Sequence, residues 1–261
     1  MGLNMRKQEI FYYSESQNDE FVASPKSVKP IKGDYKYIEQ SRGGRILAFV
    51  AYRLIATPLA FIYSRILKGQ RYINRRALKP LAKTGYFVYA NHTQVLSDAL
   101  TPSIVLWPKK NYAIVNASNV SLPGLGNATK LLGALPLPED MQSSKNFLKA
   151  IETRIGQGHS ILIYPEAHVW PFYTKIRPFD DRSFIYPAIF NAPVFTMTTT
   201  YQKKKRGFKT VIYIDGPFEA PVDGGRKVRQ AFLHQRALEA LNGRAELSNY
   251  EKHIYLPKEK R

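Results

Sequence analysis

The residues best suited to chemistry in this sequence lie at positions 91–98, which read Asn-His-Thr-Gln-Val-Leu-Ser-Asp. They directly follow an apolar run at 86–90 that is typical of a buried strand. A neutral imidazole with an acid nearby can accept a proton from an alcohol. His92 is therefore the first candidate for a general base, and Asp98 is the acid nearby.

A second polar segment follows another apolar run. Residues 160–164 predict a strand, and Pro165 and Glu166 come directly after it. Ligands of layered α/β folds collect at the carboxyl ends of strands, so we expect His92 and Glu166 to meet in one crevice. Two structural alternatives stay open: Glu166 as a strand-end cap, and Asp98 as a carboxylate in the first turn of a helix.

The composition bounds the class of protein. With 261 residues, the chain is long enough for one domain with a sizeable core. The absence of cysteine excludes a disulfide framework, a thiolate zinc site and a cysteine nucleophile, and it fits a reducing compartment. No metal site is expected, because the spacing of the histidines and aspartates matches no compact ligand pattern.

The balance of charge is strongly basic. Lys plus Arg total 39 against 20 Asp plus Glu, which gives a formal net charge of +19 and an isoelectric point near 9.9. An anionic partner is expected, and both nucleic acid and acidic lipid would qualify. No nucleic-acid-binding motif is recognisable, so a nucleic-acid partner is not expected. The polar first 40 residues lack the apolar core of a secretory signal.

Residues 46–67 form a long apolar stretch. As a helix they would be about 33 Å long, enough in principle to cross a bilayer. At about 100° per residue, Arg53, Thr57 and Ser64 fall on one face, which favours a helix at the membrane interface or packed on protein over a clean span. Pro58 could divide the stretch into two shorter helices.

Seven cations and no acid occur within residues 65–83. They are Arg65, Lys68, Arg71, Arg75, Arg76, Lys79 and Lys83. Basic residues beside a membrane helix strengthen attachment to anionic lipid by about 1 kcal/mol each at most. The sequence therefore predicts association with an anionic membrane surface. A buried helix followed by a solvated basic face is the alternative.

From residue 85 onward, short β-rich runs alternate with longer helical stretches. Strands are predicted at 85–90, 160–164, 192–200 and 210–214. Helices are predicted at 143–156, with Ser143 or Ser144 as N-cap and Gly156 or Gly158 at the end, and at 226–241. This alternation predicts an α/β fold, a layered mixed sheet flanked by helices, preceded by an N-terminal membrane-seated helical element.

We expect three regions along the chain. These are a polar N-terminal tail at 1–40, an apolar helical membrane-association element at 41–68 and an α/β domain at 69–261. The tail and the loop Lys203-Lys204-Lys205-Arg206 are expected to be mobile.

Four short blocks, in this order, make the sequence similar to the glycerolipid acyltransferase family, which includes the 1-acylglycerol-3-phosphate acyltransferases. The blocks are residues 91–98, Leu-Gly-Ala-Leu-Pro-Leu at 132–137, Tyr-Pro-Glu-Ala-His at 164–168 and Ala-Pro-Val-Phe at 192–195. The resemblance covers about residues 69–220. The family also carries an N-terminal membrane-seated helical element, which residues 43–67 resemble.

The resemblance implies roles for the two residues of the first block. His92 would act as general base on a lysolipid hydroxyl, and Asp98 would orient the imidazole and stabilise its protonated form. The hydroxyl oxygen would attack an acyl thioester without a covalent acyl-enzyme, which fits a chain with no cysteine and no Gly-x-Ser-x-Gly elbow. The implied donor is acyl-coenzyme A or acyl carrier protein as co-substrate, with no other cofactor.

The sequence departs from the family pattern in its spacing and in its arginines. The family usually has four residues between histidine and aspartate, whereas five separate His92 from Asp98, and Ser97 stands at the usual acid position. Two arginines of the pattern are replaced, one by Pro138-Glu139-Asp140 after the second block and one by Val169 after the third. Because arginine binds phosphate as a planar charged fork, we expect a changed acceptor pocket.

The expected reaction is transfer of a fatty acyl group to a lysolipid, with 1-acylglycerol-3-phosphate as the leading acceptor, in phospholipid biosynthesis. The candidates for substrate binding are Glu166, His168, Lys175 and Arg177, with Arg182 as a further nearby cation. The expected place is the cytoplasmic face of the cell membrane, as a peripheral or monotopic protein. The alternatives are an acceptor without a phosphomonoester and a catalytically inactive basic membrane-binding protein on the same scaffold.

Overall fold

A seven-stranded mixed sheet forms the centre of the protein. The computed structural model describes residues 8–22, 28–121 and 126–258. The strands are β1 Glu9–Tyr13, β2 Arg71–Ile73, β3 Tyr86–Ala90, β4 Asn111–Val115, β5 Ala134–Pro136, β6 Ser160–Ile163, β7 Val194–Lys203, β8 Phe208–Phe218 and β9 His253–Pro257. The order in the central sheet is β2-β8-β7-β3-β6-β4-β5, and every neighbouring pair is parallel except β7 and β8.

Helices cover both faces of this sheet. They are α1 Arg42–Phe49, α2 Thr57–Phe61, α3 Ser97–Val105, α4 Gly126–Leu131, α5 Met141–Gly156, α6 Ile185–Phe190 and α7 Arg226–Ala245. Side chains of β3 alternate between two buried clusters: Phe87 and Tyr89 join one with α5 and α7, and Tyr86 and Val88 join the other with α3. Because both faces are covered, β3 is apolar throughout, and the expected α/β fold is confirmed.

The four predicted strands are all present. β3 and β6 lie within one residue of their predicted limits, whereas β7 and β8 extend past theirs and form a long antiparallel hairpin. The cations at 203–206 lie at the turn of that hairpin, where they are exposed.

The N-cap of α5 differs from the expectation. Asp140 caps the helix, rather than Ser143 or Ser144. Its carboxylate accepts a hydrogen bond from the Ser143 amide at 2.6 Å, and the Ser143 hydroxyl accepts one from the Asp140 amide at 3.0 Å. This reciprocal capping box fixes the start of the helix, which ends at Gly156 as predicted.

Residues Arg42–Leu67 form one continuous helix, the N-terminal helix, which is long and apolar enough to cross a membrane by length and composition. Pro58 does not divide it, contrary to one expectation. Pro58 lies in the first turn of α2, directly after a π-helical segment, Val50–Ala56, and a second π-helical segment, Ile62–Leu67, follows α2. The wider π turns change the hydrogen-bond register around the proline, which has no amide hydrogen to donate.

The faces of the N-terminal helix are inverted relative to those of a helix in a water-soluble protein. Thr57, Ala60 and Ser64 are buried against the protein, and the Ser64 hydroxyl lies 3.2 Å from the hydroxyl of Thr101 in α3. Ten large apolar side chains form an exposed apolar face, each at least 45% exposed. They are Ile46, Leu47, Phe49, Leu54, Ile55, Leu59, Phe61, Ile62, Ile66 and Leu67. An exposed apolar face of this size marks an interaction surface.

The described part of the predicted tail is packed rather than mobile. β1 pairs in parallel with β9, and its Phe11 stacks on Tyr255 with ring centroids 5.2 Å apart. Further along, the Tyr37 hydroxyl donates to a carbonyl of β5 at 3.0 Å. Residues 1–7 and 23–27 of the predicted tail lie outside the described residues. Strand pairing across the whole length of the chain leaves no local signal, so sequence patterns could not predict it.

Candidate active site

The loop that carries His92 leaves the sheet at the carboxyl end of β3, and Asn91 fixes the point of departure. The Asn91 side-chain nitrogen donates to the Thr199 carbonyl at 3.0 Å, and its oxygen accepts from the Thr199 amide at 2.8 Å. The side-chain amide thus takes the place of a peptide group of β3 and satisfies the buried backbone of β7. This explains why asparagine precedes the histidine.

Asp98 is the partner of His92. Nδ1 of His92 lies 2.8 Å from Oδ2 of Asp98, and the same oxygen accepts a hydrogen bond from the Gln94 amide at 2.8 Å. The five intervening residues fit because the chain already turns at Gln94, whose carbonyl accepts the Asp98 amide at 3.0 Å. Asp98 also lies in the first turn of α3. The same carboxylate can therefore be both the partner of His92 and the acid in the first turn of a helix.

Tyr164 holds the imidazole from one side, a role that sequence reasoning missed. Its ring stacks on that of His92 with centroids 4.1 Å apart and planes 16° from parallel, and its hydroxyl donates to the Asp98 carbonyl at 2.7 Å. One side chain therefore fixes both members of the pair. The available signal was an aromatic residue at the end of the strand before Pro165.

Glu166 lies in the same crevice as His92, as predicted, but it binds backbone. Its carboxylate accepts hydrogen bonds from the His92 amide at 3.1 Å and the Arg177 amide at 3.0 Å, and the residue is 3% exposed. Burial raises the pKa of Glu166, and the Arg177 guanidinium and the two amide hydrogen bonds oppose that rise. The geometry favours a positioning role for Glu166 over contact with a substrate.

The Arg177 side chain is buried inside the protein and is 1% exposed. It lies 3.5 Å from the Glu166 carboxylate, donates to the carbonyls of Glu166 (2.9 Å) and His168, and stacks 4.8 Å from the ring of Trp170. Such a side chain stabilises the loop after β6. The geometry therefore favours loop support over the predicted binding of substrate phosphate.

His168 and Lys175 lie nearer the surface. His168 is partly exposed, with Nδ1 3.5 Å from a carboxylate oxygen of Glu20, and Lys175 is exposed. Among the hydrogen bonds and ion pairs of the described residues, none joins either side chain to His92 or Asp98. Their predicted contact with substrate stays a prediction.

The N-terminal helix reaches this site through two glutamines that sequence reasoning also missed. The Arg65 guanidinium donates to the Gln70 carbonyl at 2.6 Å, and the Gln70 side-chain nitrogen donates to the Gln94 side-chain oxygen at 3.3 Å. Gln70 is 1% exposed and also accepts from the Thr101 hydroxyl at 2.9 Å. This series of hydrogen bonds places Arg65 on the same network as the His92 loop. Glutamine side chains at these spacings match no catalytic motif.

These features together define an α/β enzyme with a paired histidine at the carboxyl edge of its sheet and a long apolar helix beside it. A family model described as Acyltransferase matches residues 65–204, more than half of the chain. The chain belongs to the glycerolipid acyltransferase family, as the four blocks predicted, and it is an O-acyltransferase.

One solved structure shares the fold. The crystal structure of the 1-acyl-sn-glycerophosphate (LPA) acyltransferase PlsC from Thermotoga maritima matches with a TM-score of 0.51 and 13% identity, over 80% of this chain and 85% of that one. At this identity the likeness shows the fold alone. A comparison with curated proteins found no match.

Ala167 carries backbone strain in the loop that Glu166 and Arg177 fix. Its φ is +61°, in the left-handed region, where an L-residue costs about 1 to 2 kcal/mol relative to glycine. The Ala167 side chain is exposed, so no packing opposes a change.

We expect Ala167→Gly to raise the free energy of unfolding by up to about 1 kcal/mol, because glycine adopts positive φ without strain. Thermal unfolding of both proteins measures the change. The matched control is Ala231→Gly, at an exposed position inside α7, which should lower the free energy of unfolding by about 1 kcal/mol. Equal destabilisation by both changes would show that Ala167 is not strained.

Proposed function

We propose that this acyltransferase moves a fatty acyl group from an acyl thioester to the hydroxyl of a lysolipid, with 1-acylglycerol-3-phosphate as the acceptor. The observation that carries the proposal is the 2.8 Å contact between His92 Nδ1 and Asp98 Oδ2. An ionised carboxylate only accepts hydrogen bonds, so Nδ1 carries the ring proton and Nε2 is left as the base. PlsC, which shares the fold, is named for this acceptor.

His92 first accepts a proton and later donates it in the course of the reaction. Nε2 of His92 accepts the proton of the acceptor hydroxyl while the oxygen attacks the thioester carbonyl carbon. The tetrahedral intermediate then collapses, the carbon–sulfur bond breaks, and the imidazolium returns the proton to the departing thiolate. The products are the ester and the free thiol. Asp98 stabilises the imidazolium between the two proton transfers.

The acceptor phosphate needs a cation, and the two predicted arginines are engaged elsewhere. Arg177 is buried beneath the loop, and Arg182 is exposed with its guanidinium 2.6 Å from the Asp180 carboxylate. We assign phosphate binding to Arg65, because Gln70 and Gln94 connect it to the His92 loop. An acceptor without a phosphomonoester is the second candidate. The absence of the two arginines of the family pattern favours it.

The N-terminal helix supports a place at the membrane. Its small and polar side packs on the protein while the exposed apolar face points outward, an arrangement that water disfavours and a lipid interface stabilises. We propose peripheral or monotopic attachment at the cytoplasmic face of the cell membrane, where an anionic lipid surface attracts the +19 chain. An acceptor lipid then reaches His92 along the membrane surface.

The donor is acyl-coenzyme A or acyl carrier protein. Both present the acyl group as a thioester on a flexible arm, and both are anionic, which suits a chain of net charge +19. A catalytically inactive scaffold is disfavoured, because the pair of His92 and Asp98 is held by Tyr164 and Gln94 in a geometry that serves proton transfer.

Detergent-solubilised protein incubated with palmitoyl-coenzyme A and a panel of lysolipids tests the acceptor, with products read by mass spectrometry. We expect acyl transfer to lysophosphatidic acid, and a loss of about 10²- to 10⁴-fold in His92→Ala, since the base is removed. Arg65→Gln should raise KM for lysophosphatidic acid but leave KM for lysophosphatidylcholine unchanged. Transfer only to lysolipids without a phosphomonoester would support the second candidate. Transfer to none would contradict acyl transfer by this chain.

The partner of the base is tested by comparing Asp98→Asn with Ser97→Ala. We expect kcat to fall by about a hundredfold or more in Asp98→Asn, because asparagine can impose the wrong tautomer and cannot stabilise the imidazolium. Ser97→Ala, the matched neighbour, should keep nearly full kcat. Loss of kcat only in Ser97→Ala would refute the assignment of Asp98.

A further inference from the structure

A cavity of about 300 Å³ lies at the edge of the sheet opposite His92, where β3 begins. It is bounded by Tyr86, the first residue of β3, and by Leu106 and Trp107, which follow α3. His92 instead follows the last residue of β3, and Asp98 lies in the first turn of α3. The cavity is therefore separated from the dyad by the length of both elements.

Four cations and no acid are among the described residues that line this cavity. They are Arg75, Arg76, Lys79 and Lys109. Arg75 donates to the carbonyls of Val105 and Trp107, each at 2.8 Å, so main-chain oxygens fix its guanidinium without neutralising it. Arg76 and Lys79 are exposed at the rim. The lining combines an apolar and aromatic wall with positive charge.

Lys109 brings one of these charges into the protein interior. The residue is 7% exposed, and its ammonium donates to the carbonyls of Thr84, at 2.8 Å, and Gly158. It also lies 5.0 Å from the centre of the Tyr86 ring. Burial lowers the pKa of Lys109. No carboxylate of the described residues forms an ion pair with this buried cation, which favours an anion from outside the chain.

A ladder of alternating aromatic rings and cations continues from the cavity along the same edge. Arg53 lies 4.7 Å from the centre of the Trp107 ring. Lys110 and Arg154 both lie over the Tyr112 ring, at 5.1 Å and 4.6 Å from its centre. Arg53 Nη1 and Arg154 Nε are buried and have no hydrogen-bond partner among the described residues. Both guanidinium groups therefore add positive charge to this edge.

The charges of the ladder act on one another. Burial and the nearby Arg154 and Arg53 lower the pKa of Lys110 to about 8. Burial, together with Arg154, both lysines 109 and 110 and Arg53, lowers the pKa of His159 to about 4. Among the described residues, the charged groups that lower the pKa of these two side chains are all cations. The edge therefore holds a concentrated positive potential that a phosphate would relieve.

The N-terminal helix connects this edge to the membrane. Arg53 belongs to that helix, and its guanidinium donates to the Pro108 carbonyl in the cavity wall. Trp107 is 48% exposed beside it, and tryptophan is favoured at the level of lipid headgroups. The mouth of the cavity thus adjoins the exposed apolar face, where a headgroup phosphate would lie.

We propose that this cavity binds the phosphate of an anionic phospholipid headgroup and so holds the edge of the sheet opposite His92 on the membrane. The proposal rests on the membrane association proposed above. Arg76 and Lys79 bind the phosphate at the rim, and Lys109 supplies charge from within. Together with the exposed apolar face, this site fixes the rotation of the protein on the bilayer, so that the His92 edge stays at the lipid surface.

Sedimentation of the full chain with vesicles tests the site, using phosphatidylcholine alone and phosphatidylcholine mixed with phosphatidylglycerol. The double variant Arg76→Gln/Lys79→Gln should lose about tenfold or more of its affinity for the anionic vesicles, since two contacts to phosphate are removed. Affinity for neutral vesicles should be unchanged. The control variant, Lys203→Gln/Lys204→Gln, removes the same charge at the exposed turn of the β7–β8 hairpin and should change affinity by about twofold at most.

Equal loss in the two double variants would overturn the proposal, because charge alone would then explain the binding. Failure of the wild-type chain to bind any vesicle would also overturn it. Coenzyme A and inorganic phosphate, added as competitors, distinguish the sources of phosphate. If either one displaces the wild-type protein from anionic vesicles but does not displace Arg76→Gln/Lys79→Gln, the cavity binds a dissolved ligand and the proposal is wrong. The rate of acyl transfer by Arg76→Gln/Lys79→Gln in detergent should equal that of the wild-type protein. Loss of lipid binding at the cavity is therefore distinguishable from loss of enzyme activity.

Discussion

The hydrogen bond between His92 and Asp98 is the contact that the rest of the site supports. Asn91 ties the start of the loop to β7, Glu166 accepts from the His92 amide, and Tyr164 stacks on the ring. The Trp170 amide donates to the His92 carbonyl at 3.0 Å, which joins the two loops directly. These contacts hold one imidazole on several sides. In the proposed reaction, a base held in this way reaches the transition state with little further ordering.

Glu166 and Arg177 provide rigid support beneath the His92 loop. Taking two charges out of water costs several kcal/mol per ion, so a buried pair is poor evidence for stability by itself. Here both side chains are nearly fully buried and also bind backbone groups of the two loops. The pair therefore fixes the loop after β6 against the loop after β3. This accounts for a glutamate whose carboxylate contacts the backbone of the His92 loop.

The sequence predicted the parts of this structure that have a local signal. The apolar runs located β3 and β6, and the four blocks identified the family. The contact of Asp98 with His92 depends on a turn at Gln94 that spacing alone does not reveal. Arg177 could not be assigned because its orientation depends on Trp170 and on backbone carbonyls brought together by folding.

The N-terminal helix likewise has features that the sequence predicted and features that only the fold determines. Its length and apolar composition were evident, but the burial of Thr57 and Ser64 against α3 is a tertiary contact. Composition could indicate a helix suited to a membrane; only the structure shows which of its faces is exposed. The inverted arrangement also explains how polar residues can lie in an apolar stretch, since the protein covers them and hydroxyls pair across the interface.

The tautomer of His92 tests the central arrangement most directly, and ¹⁵N nuclear magnetic resonance of histidine-labelled protein measures it. The chain has five histidines, and His92→Ala assigns the signal. At a pH where the ring is neutral, we expect a protonated Nδ1 bound to Asp98 and an unprotonated Nε2 facing the acceptor. A protonated Nε2 in the wild-type protein would contradict a base at that nitrogen.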